Sequence, residues 1–321
     1  MIEHFPVHAS DYPGAVLVTG AGGCIGSWVL ALLVRNGIPA VAFDLTEDRR
    51  RPGLLLDAEE LARVRWLIGD VSDTQRVLEA VRTSDACAIV HLAGLQVPFC
   101  KADPVAGARV NVVGTVNIFE AARAQGIRRV AYASSIGALG AFPDSPWGAT
   151  LYGAYKYCNE QTAKVYWRDW QVPSVGFRPG VVYGVGRDQG QTSKTTVAML
   201  AAVAGQPYDI PFRGPVSWLH AGEVASAFLK AVSRDGDDAP VFDINGPCLS
   251  VEEGVALLRQ LVPGAQVGCS GAPLPYPMDL SDEPLRAHVG DYGQATVEQG
   301  MRATIDAFRG LLARGALEPP R

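Results

Sequence analysis

The chain has 321 residues, a formal net charge of −5, 48% hydrophobic side chains and 19% charged ones. That composition is that of an ordinary globular chain and argues against disorder, and the acidic balance argues against nucleic acid as the main partner. No apolar run approaches the ~20 residues of a membrane span, and Met1–His8 lacks a basic region followed by an apolar stretch, so neither a span nor a signal peptide is expected.

Apolar runs alternate with helical patterns along the first half, the pattern of repeated β-α-β units. Ala15–Thr19 reads as a strand that enters the glycine-rich T-G-A-G-G-C-I-G, and Gly23–Asn36 reads as a helix closed by Gly37. A second strand, Pro39–Phe43, leads to Asp44, and Arg49-Arg50-Arg51 beyond it reads as a solvated loop. Strands at Val64–Ile68 and Ala88–Leu92 end in Gly69-Asp70-Val71 and His91-Leu92-Ala93-Gly94. A helix over Pro104–Gln125, closed by Gly126, precedes a fifth strand, Val130–Ser134. A helix at Tyr152–Trp170 and a strand at Ser174–Arg178 complete the alternation. All six runs are short and apolar on both faces, as a buried parallel sheet requires.

Beyond Arg178 the alternation weakens. Val216–Leu219 and Val241–Ile244 still read as sheet-forming, and Ser250 and Glu253 have capping-box spacing. The predicted fold is α/β: a Rossmann-type doubly wound parallel sheet with a smaller C-terminal substrate-binding lobe. The expected division is 1–178 with 216–245 returning to it, against 179–215 plus 246–321. Six scattered cysteines without C-x-x-C spacing suggest neither a metal site nor a disulfide framework, and reduced thiols in a cytoplasm are the simplest reading.

Gly20, Gly23 and Gly26 gain meaning from their position between a strand and a helix. A phosphate at a helix N-terminus meets unpaired N–H groups and the positive end of the dipole, and side chains would block that approach. Asp44 lies 18 positions after Gly26, near the ~20 expected of a carboxylate that binds a ribose 2′-hydroxyl. The same carboxylate repels a 2′-phosphate, so NAD is favoured over NADP.

Tyr152 and Lys156 are four residues apart and share a helix face. The cation is expected to lower the phenol pKa and make it a usable acid/base. Neither Tyr155 nor Tyr157 has a lysine at that spacing. Ser134 and Ser135 end the fifth strand, where a hydroxyl can point into a cleft.

Taken together, T-G-A-G-G-C-I-G, Asp44, Asp70-Val71, L-A-G, N-V-V-G-T (Asn111–Thr115), A-S-S, Y-G-A-Y-K and R-P-G-V-V-Y-G resemble, in order and spacing, the extended short-chain dehydrogenases/reductases of the NAD-dependent epimerase/dehydratase group. The resemblance implies Gly20, Gly23, Cys24, Ile25 and Gly26 around the pyrophosphate, Asp44 on the adenosine ribose, and Asp70 and Val71 flanking the adenine. It puts Leu92, Ala93, Gly94 and Ala133 along the cofactor, and Pro179, Val181 and Val182 near the nicotinamide. Tyr152 would be the acid/base, Lys156 would bond the nicotinamide ribose, Ser135 or else Ser134 would hold the reacting oxygen, and Asn111 would bond within its helix.

Two features depart from the sugar-nucleotide members: Val181 stands where they usually carry asparagine, and Pro215-Val216-Ser217 where they tend to carry arginine. A smaller substrate is expected, such as a free sugar, sugar acid, polyol or other secondary alcohol. Candidate substrate contacts are Gln96, Ser134, Ser135, Trp147, Arg187 and Thr192, with Asp188, Gln189, Gln191 and Ser193 in the same polar group; a solvated loop is an equal reading of that group. His220 reads as a core residue. The aromatics of the 152–170 helix suggest a homodimer, although plain core is the commoner role of such a stripe. The leading reading is a dehydrogenase, the alternative an epimerase without net redox, and a third a catalytically silent NAD-binding sensor.

Overall fold

The computed structural model describes residues 5–320, so the first half of the Met1–His8 segment lies outside the described residues. The chain opens with β1 (Ala15–Thr19), α1 (Cys24–Arg35), β2 (Ala40–Asp44), α2 (Ala58–Ala62), β3 (Val64–Ile68), α3 (Thr74–Ser84) and β4 (Ala86–His91). Then come α4 (Val97–Ala102), α5 (Pro104–Ala108), a π-helical turn (Arg109–Val113), α6 (Gly114–Gln125), β5 (Val130–Ala133), α7 (Leu151–Trp170) and β6 (Val175–Pro179). The remainder holds β7 (Val182–Tyr183), α8 (Lys194–Val203), β8 (Tyr208–Ile210), β9 (Pro215–Ser217), β10 (Leu219–His220), α9 (Ala221–Ala231) and β11 (Val241–Ile244). It ends with β12 (Cys248–Ser250), α10 (Val251–Leu261), β13 (Val267–Cys269), α11 (Glu283–Val289) and α12 (Val297–Ala313).

Seven strands form one sheet in the order β11-β6-β5-β4-β1-β2-β3, and every pair is parallel. The order reverses at β1, and ligands bind such sheets outside the strand C-termini at that point. Side chains alternate across β1: Val16 and Val18 enter the core under α1 and α9, while Leu17 enters the core under α3, α6 and α7. Nearly every residue of α1 from Gly26 to Val34 is buried, because α9 covers the side that faces away from the sheet. Trp28 anchors it, fully buried, with its indole N–H donating to the Val185 carbonyl at 3.0 Å.

The sequence-predicted elements recur within one or two residues, with two differences. The predicted 104–125 helix is interrupted by the π-helical turn, whose widened geometry leaves the Asn111 carbonyl to accept from both Thr115 Oγ1 (2.7 Å) and Asn159 Nδ2 (2.9 Å). The predicted 216–219 unit is two strands. β9 pairs antiparallel with β12, β10 pairs parallel with β7, and Trp218 between them donates to Leu249 O at 3.3 Å. The Ser250–Glu253 capping box forms as predicted. Among the described residues, no helix is long and apolar enough to cross a membrane, and no cysteine is in a disulfide.

A buried ion pair ties the fifth and sixth strands to α7. Glu160, 1% exposed, accepts from Arg178 Nε at 2.8 Å and Nη2 at 2.6 Å, and also from the Ser134 hydroxyl. Asp243 stands 3.5 Å from Arg178 and shares only part of its charge. Removing one partner of such a pair leaves an uncompensated buried charge. Glu160→Gln is therefore expected to lower the unfolding free energy by about 3 kcal/mol, the low end for a broken buried pair because Asp243 remains near Arg178, read as a lower urea midpoint at unchanged slope; an unchanged midpoint would show that the pair is not holding these elements together.

Candidate active site

A cavity of about 670 Å³ opens at the C-terminal edge of the sheet, where the strand order reverses. Its floor begins with the glycine loop. A Cβ on Gly26 would lie 2.4 Å from the Gly20 carbonyl oxygen, and one on Gly20, at φ +66°, would lie 2.7 Å from the Ala93 nitrogen. Only glycine permits this approach of α1 to β1 and of the loop to the Leu92–Gly94 segment. Gly23 precedes α1 without a side-chain cap, so the first-turn N–H groups of Cys24, Ile25 and Gly26 face the cavity unshielded. A bare helix N-terminus approached by glycine backbone suits a diphosphate.

Asp44 ends β2 on the cavity wall, and its Oδ2 accepts from the Gly22 N–H at 2.9 Å, fixing the carboxylate against the loop. Asp70 and Val71 line the next stretch of wall, beyond Gly69. Leu92, Ala93 and Gly94 pass beneath, held where Thr19 Oγ1 accepts from the N–H groups of Leu92 (3.2 Å) and Ala93 (3.3 Å). Thr19 also meets Nδ1 of the buried His91 at 2.7 Å, and burial pushes that imidazole down to about 3, so it stays neutral. Asn111 bonds as expected, donating to Gly107 O at 3.0 Å and to Leu95 O at 3.2 Å.

Ser135, Tyr152 and Lys156 meet at the far end of the same cavity. Thr150 caps α7, accepting from the Gly153 N–H at 3.0 Å, which sets where Tyr152 begins the helix. Ser135 follows β5, and its Oγ accepts from the Gly137 N–H at 3.1 Å. Lys156 is 3% exposed and donates to the Ala133 carbonyl at 2.8 Å, with Nζ 5.6 Å from the centre of the Tyr152 ring. Burial pushes this ammonium down to about 8.

The phenol departs from expectation. Burial pushes Tyr152 up, while its hydrogen bond with Ser135 and the charge of Arg187 pull it down. The physical reason is that the phenol loses much of its water on the cavity wall, while the buried Lys156 turns its ammonium to a backbone carbonyl and does not offset that loss.

Of the remaining predicted residues, Ala133, Pro179, Val181 and Val182 line the wall, and so do Gln96, Arg187 and Thr192. Ser134 borders the cavity, but its hydroxyl is committed to Glu160, which leaves Ser135 as the serine facing the phenol. Trp147 does not line the cavity; it sits half-buried in the loop before α7. His220 is a core residue: it stacks on Phe5 at 5.9 Å, meets Trp28 edge-on at 5.0 Å and caps α9.

Among the wall residues that escape a sequence reading, Arg51 and Tyr276 bring polar groups into the cavity. Arg51 is not part of a solvated loop; it lines the cavity, donates to Gly22 O at 3.1 Å and pairs with Asp188 at 2.8 Å. Arg49 and Arg50 do lie on the exposed side, paired with Glu47 and Asp48. The Pro-Gly after Arg51, which turns the loop back onto the helix, is the one local cue. Tyr276 reaches the wall from the C-terminal third, and nothing in its surroundings in sequence marks it.

Residues 16–244 match the NAD dependent epimerase/dehydratase family. The chain is 28% identical over 313 residues to UDP-glucose 4-epimerase of Mycolicibacterium smegmatis, covering 91% of this chain and 98% of that one. Among solved structures, the UDP-glucose 4-epimerase of Thermus thermophilus in complex with NAD superposes with a TM-score of 0.75 at 25% identity, over 92% of this chain and 99% of that one. The L-threonine dehydrogenase of Clostridium difficile superposes with a TM-score of 0.79 at 20% identity, over 97% and 100%, and shows the same fold. The glycine cradle, the carboxylate at the end of β2 and the seven-stranded parallel sheet accord with these matches: the chain is an NAD-dependent enzyme of the extended short-chain dehydrogenase/reductase type and belongs to the NAD dependent epimerase/dehydratase family.

Proposed function

We propose that this enzyme is a dehydrogenase of a small secondary alcohol, with Tyr152 as acid/base, Ser135 holding the reacting oxygen and Lys156 setting the electrostatics around them. The observation that carries the reading is the meeting of these three side chains at the end of the cavity whose other end is the glycine cradle. NAD bound along that floor supplies a hydride acceptor at its nicotinamide. Tyr152 takes the hydroxyl proton as the carbinol is oxidised, and Ser135 orients the oxygen by hydrogen bonding. The Lys156 ammonium, below the phenol ring, favours the phenolate as it forms. Gly20, Gly23, Cys24, Ile25 and Gly26 hold the diphosphate, Asp44 the adenosine ribose, and Asp70 and Val71 the adenine. Leu92, Ala93, Gly94, Ala133, Pro179, Val181 and Val182 wall the rest of the cofactor.

The substrate end supports a small molecule over a sugar nucleotide. Gln96, Arg187, Thr192 and Tyr276 line it, and of its cations Arg51 is already paired with Asp188, which leaves Arg187 to meet an anionic group. Segments 179–215 and 246–321 form the lobe that closes this end. The alternative, an epimerase that oxidises and re-reduces the same carbon, is favoured by the similarity to the mycobacterial UDP-glucose 4-epimerase. We place the enzyme in the cytoplasm, in keeping with its unpaired cysteines, and as a homodimer. Exposed Val105, Val113, Leu151, Val165 and Trp170 lie on the α5–α7 side of the molecule, and exposed apolar groups there suit a second copy. Tyr166, by contrast, belongs to the core, stacked on Phe119 at 5.1 Å.

Purified protein with NAD⁺ and a panel of free sugars, sugar acids, polyols and sugar nucleotides is expected to give rising absorbance near ~340 nm with a non-nucleotide alcohol, from the reduced nicotinamide. A flat trace, with a sugar nucleotide changing configuration in the same tubes, selects the epimerase. Tyr152→Phe is expected to lower kcat at least ~10³-fold while leaving the NAD dissociation constant within about twofold; equal loss of both would remove Tyr152 from the chemistry. Asp44→Ala is expected to shift the ratio of NAD to NADP affinity toward NADP by about tenfold, the size of one charged hydrogen bond lost and one repulsion relieved. In light scattering at micromolar concentration the particle is expected at twice the 34.1 kDa chain mass; a 34.1 kDa particle would rule out the dimer.

A further inference from the structure

Three cationic side chains line the cavity: Arg51, Lys156 and Arg187. Two of them are committed. Lys156 is buried against the Ala133 carbonyl, and Arg51 is paired with Asp188 and bonded to Gly22 O. Arg187 has no carboxylate partner among the described residues, because Asp188, the acid beside it in sequence, has turned to Arg51. Its one side-chain bond is from Nη2 to Thr192 Oγ1 at 3.0 Å, and its Nε is buried with no partner. A buried guanidinium N–H without an acceptor is costly, and a carboxylate in the cavity would satisfy it.

The loop presents Arg187 to the cavity deliberately. Gly184, Gly186 and Gly190 all have positive φ (+128°, +85° and +91°), and the Arg187 N–H donates to Gly184 O at 3.1 Å, closing a tight turn. Gly190 has no room for a side chain: a Cβ there would lie 2.2 Å from Gln96 Oε1 and 3.5 Å from Arg187 Nη2. Gln96 and Arg187 thus converge on one spot from opposite walls. The Gln96 side chain, at the start of α4, caps nothing and makes no hydrogen bond among the described residues. The charge of Arg187 is felt both at Tyr152 and at Cys24, so the guanidinium stands between the phenol and the glycine cradle.

We propose that Arg187, with Gln96 and Thr192 beside it, is the receptor for a carboxylate on the substrate, so that the alcohol oxidised is a hydroxy acid. This rests on the dehydrogenase reading and names its substrate class. One uncompensated guanidinium matches a single anionic group, whereas a sugar-nucleotide diphosphate brings two. The secondary alcohol loses its hydroxyl proton to Tyr152 and a hydride from its carbinol carbon to NAD⁺, giving the keto acid and NADH. Arg187 holds the unreacting carboxylate throughout.

The test compares D-gluconate, D-galacturonate, D-glycerate and L-threonine with the uncharged sorbitol, D-galactose and glycerol. Turnover is measured, and calorimetric binding of each to the NAD-loaded protein. The wild type is expected to bind and oxidise a carboxylate member at least 30-fold better than its uncharged counterpart. Arg187→Gln is expected to raise KM and the dissociation constant for that acid at least 30-fold, to remove the preference over the uncharged compound, and to change NAD affinity less than threefold. Arg187→Lys, which keeps the charge and guards against misfolding in the glutamine variant, is expected to recover part of the preference. A loss confined to NAD affinity, with the preference intact, would assign Arg187 to the cofactor diphosphate and overturn the proposal. Binding or turnover restricted to uncharged alcohols overturns it while sparing the dehydrogenase reading, as does failure of every carboxylate to bind. Configurational change of a sugar nucleotide without net redox overturns the dehydrogenase reading itself.

Discussion

The close approach of backbone to backbone at Gly20 and Gly26 is the constraint on which the rest of this structure depends. A single methyl group at either position would collide with main-chain atoms at 2.7 Å or 2.4 Å, atoms that cannot rotate away. Because they are bare, α1 seats directly on β1, its first-turn N–H groups point into the cavity, and the segment after β4 passes beneath them. That same tight seating buries α1 almost completely, so the helix must be apolar on nearly every face and must be covered by α9. The cofactor floor and the hydrophobic core are in this sense one feature. A helix that stood off by the width of a side chain would lose both.

The second organising element is the shared burial at the opposite end. Lys156 and the neutral His91 are buried and Tyr152 is half-buried on the cavity wall, and each is shifted against its charged form. In the proposed mechanism this pattern suits an acid/base that exchanges its proton with a bound alcohol rather than with solvent. It also explains the polar scaffolding around the site. The Asn111 carbonyl freed by the π-helical turn, the Thr19–His91–Thr115 chain and the Ser134–Glu160–Arg178 cluster satisfy buried groups with fixed partners around Ser135, Tyr152 and Lys156.

What the sequence makes legible is whatever depends on short spacing. The glycine loop, Asp44, the tyrosine–lysine pair and the strand alternation are local patterns, and local geometry gives each its meaning. The split at Trp218, the reach of Tyr276 and the inward turn of Arg51 depend on contacts between segments more than 25 residues apart, as in Arg51 with Asp188. The same holds for the choice between Ser134 and Ser135, which is decided by Glu160 on another helix. The direction of the Tyr152 shift is not legible in sequence, because a four-residue spacing reports that a lysine is near but not how far the phenol is desolvated or where the ammonium points.

The Arg51–Asp188 pair joins the loop after β2 to the loop after β7 and so crosses the groove above Gly22. With Asp188 about half exposed, its side chain at 53%, the pair contributes on the order of 0–1 kcal/mol. That amount changes an equilibrium by no more than about fivefold. The crossing therefore orders the two loops without tying them tightly together. A dehydrogenase of the proposed kind exchanges spent for fresh coenzyme in every cycle, and a weak tether at this point adds little to the cost of that exchange.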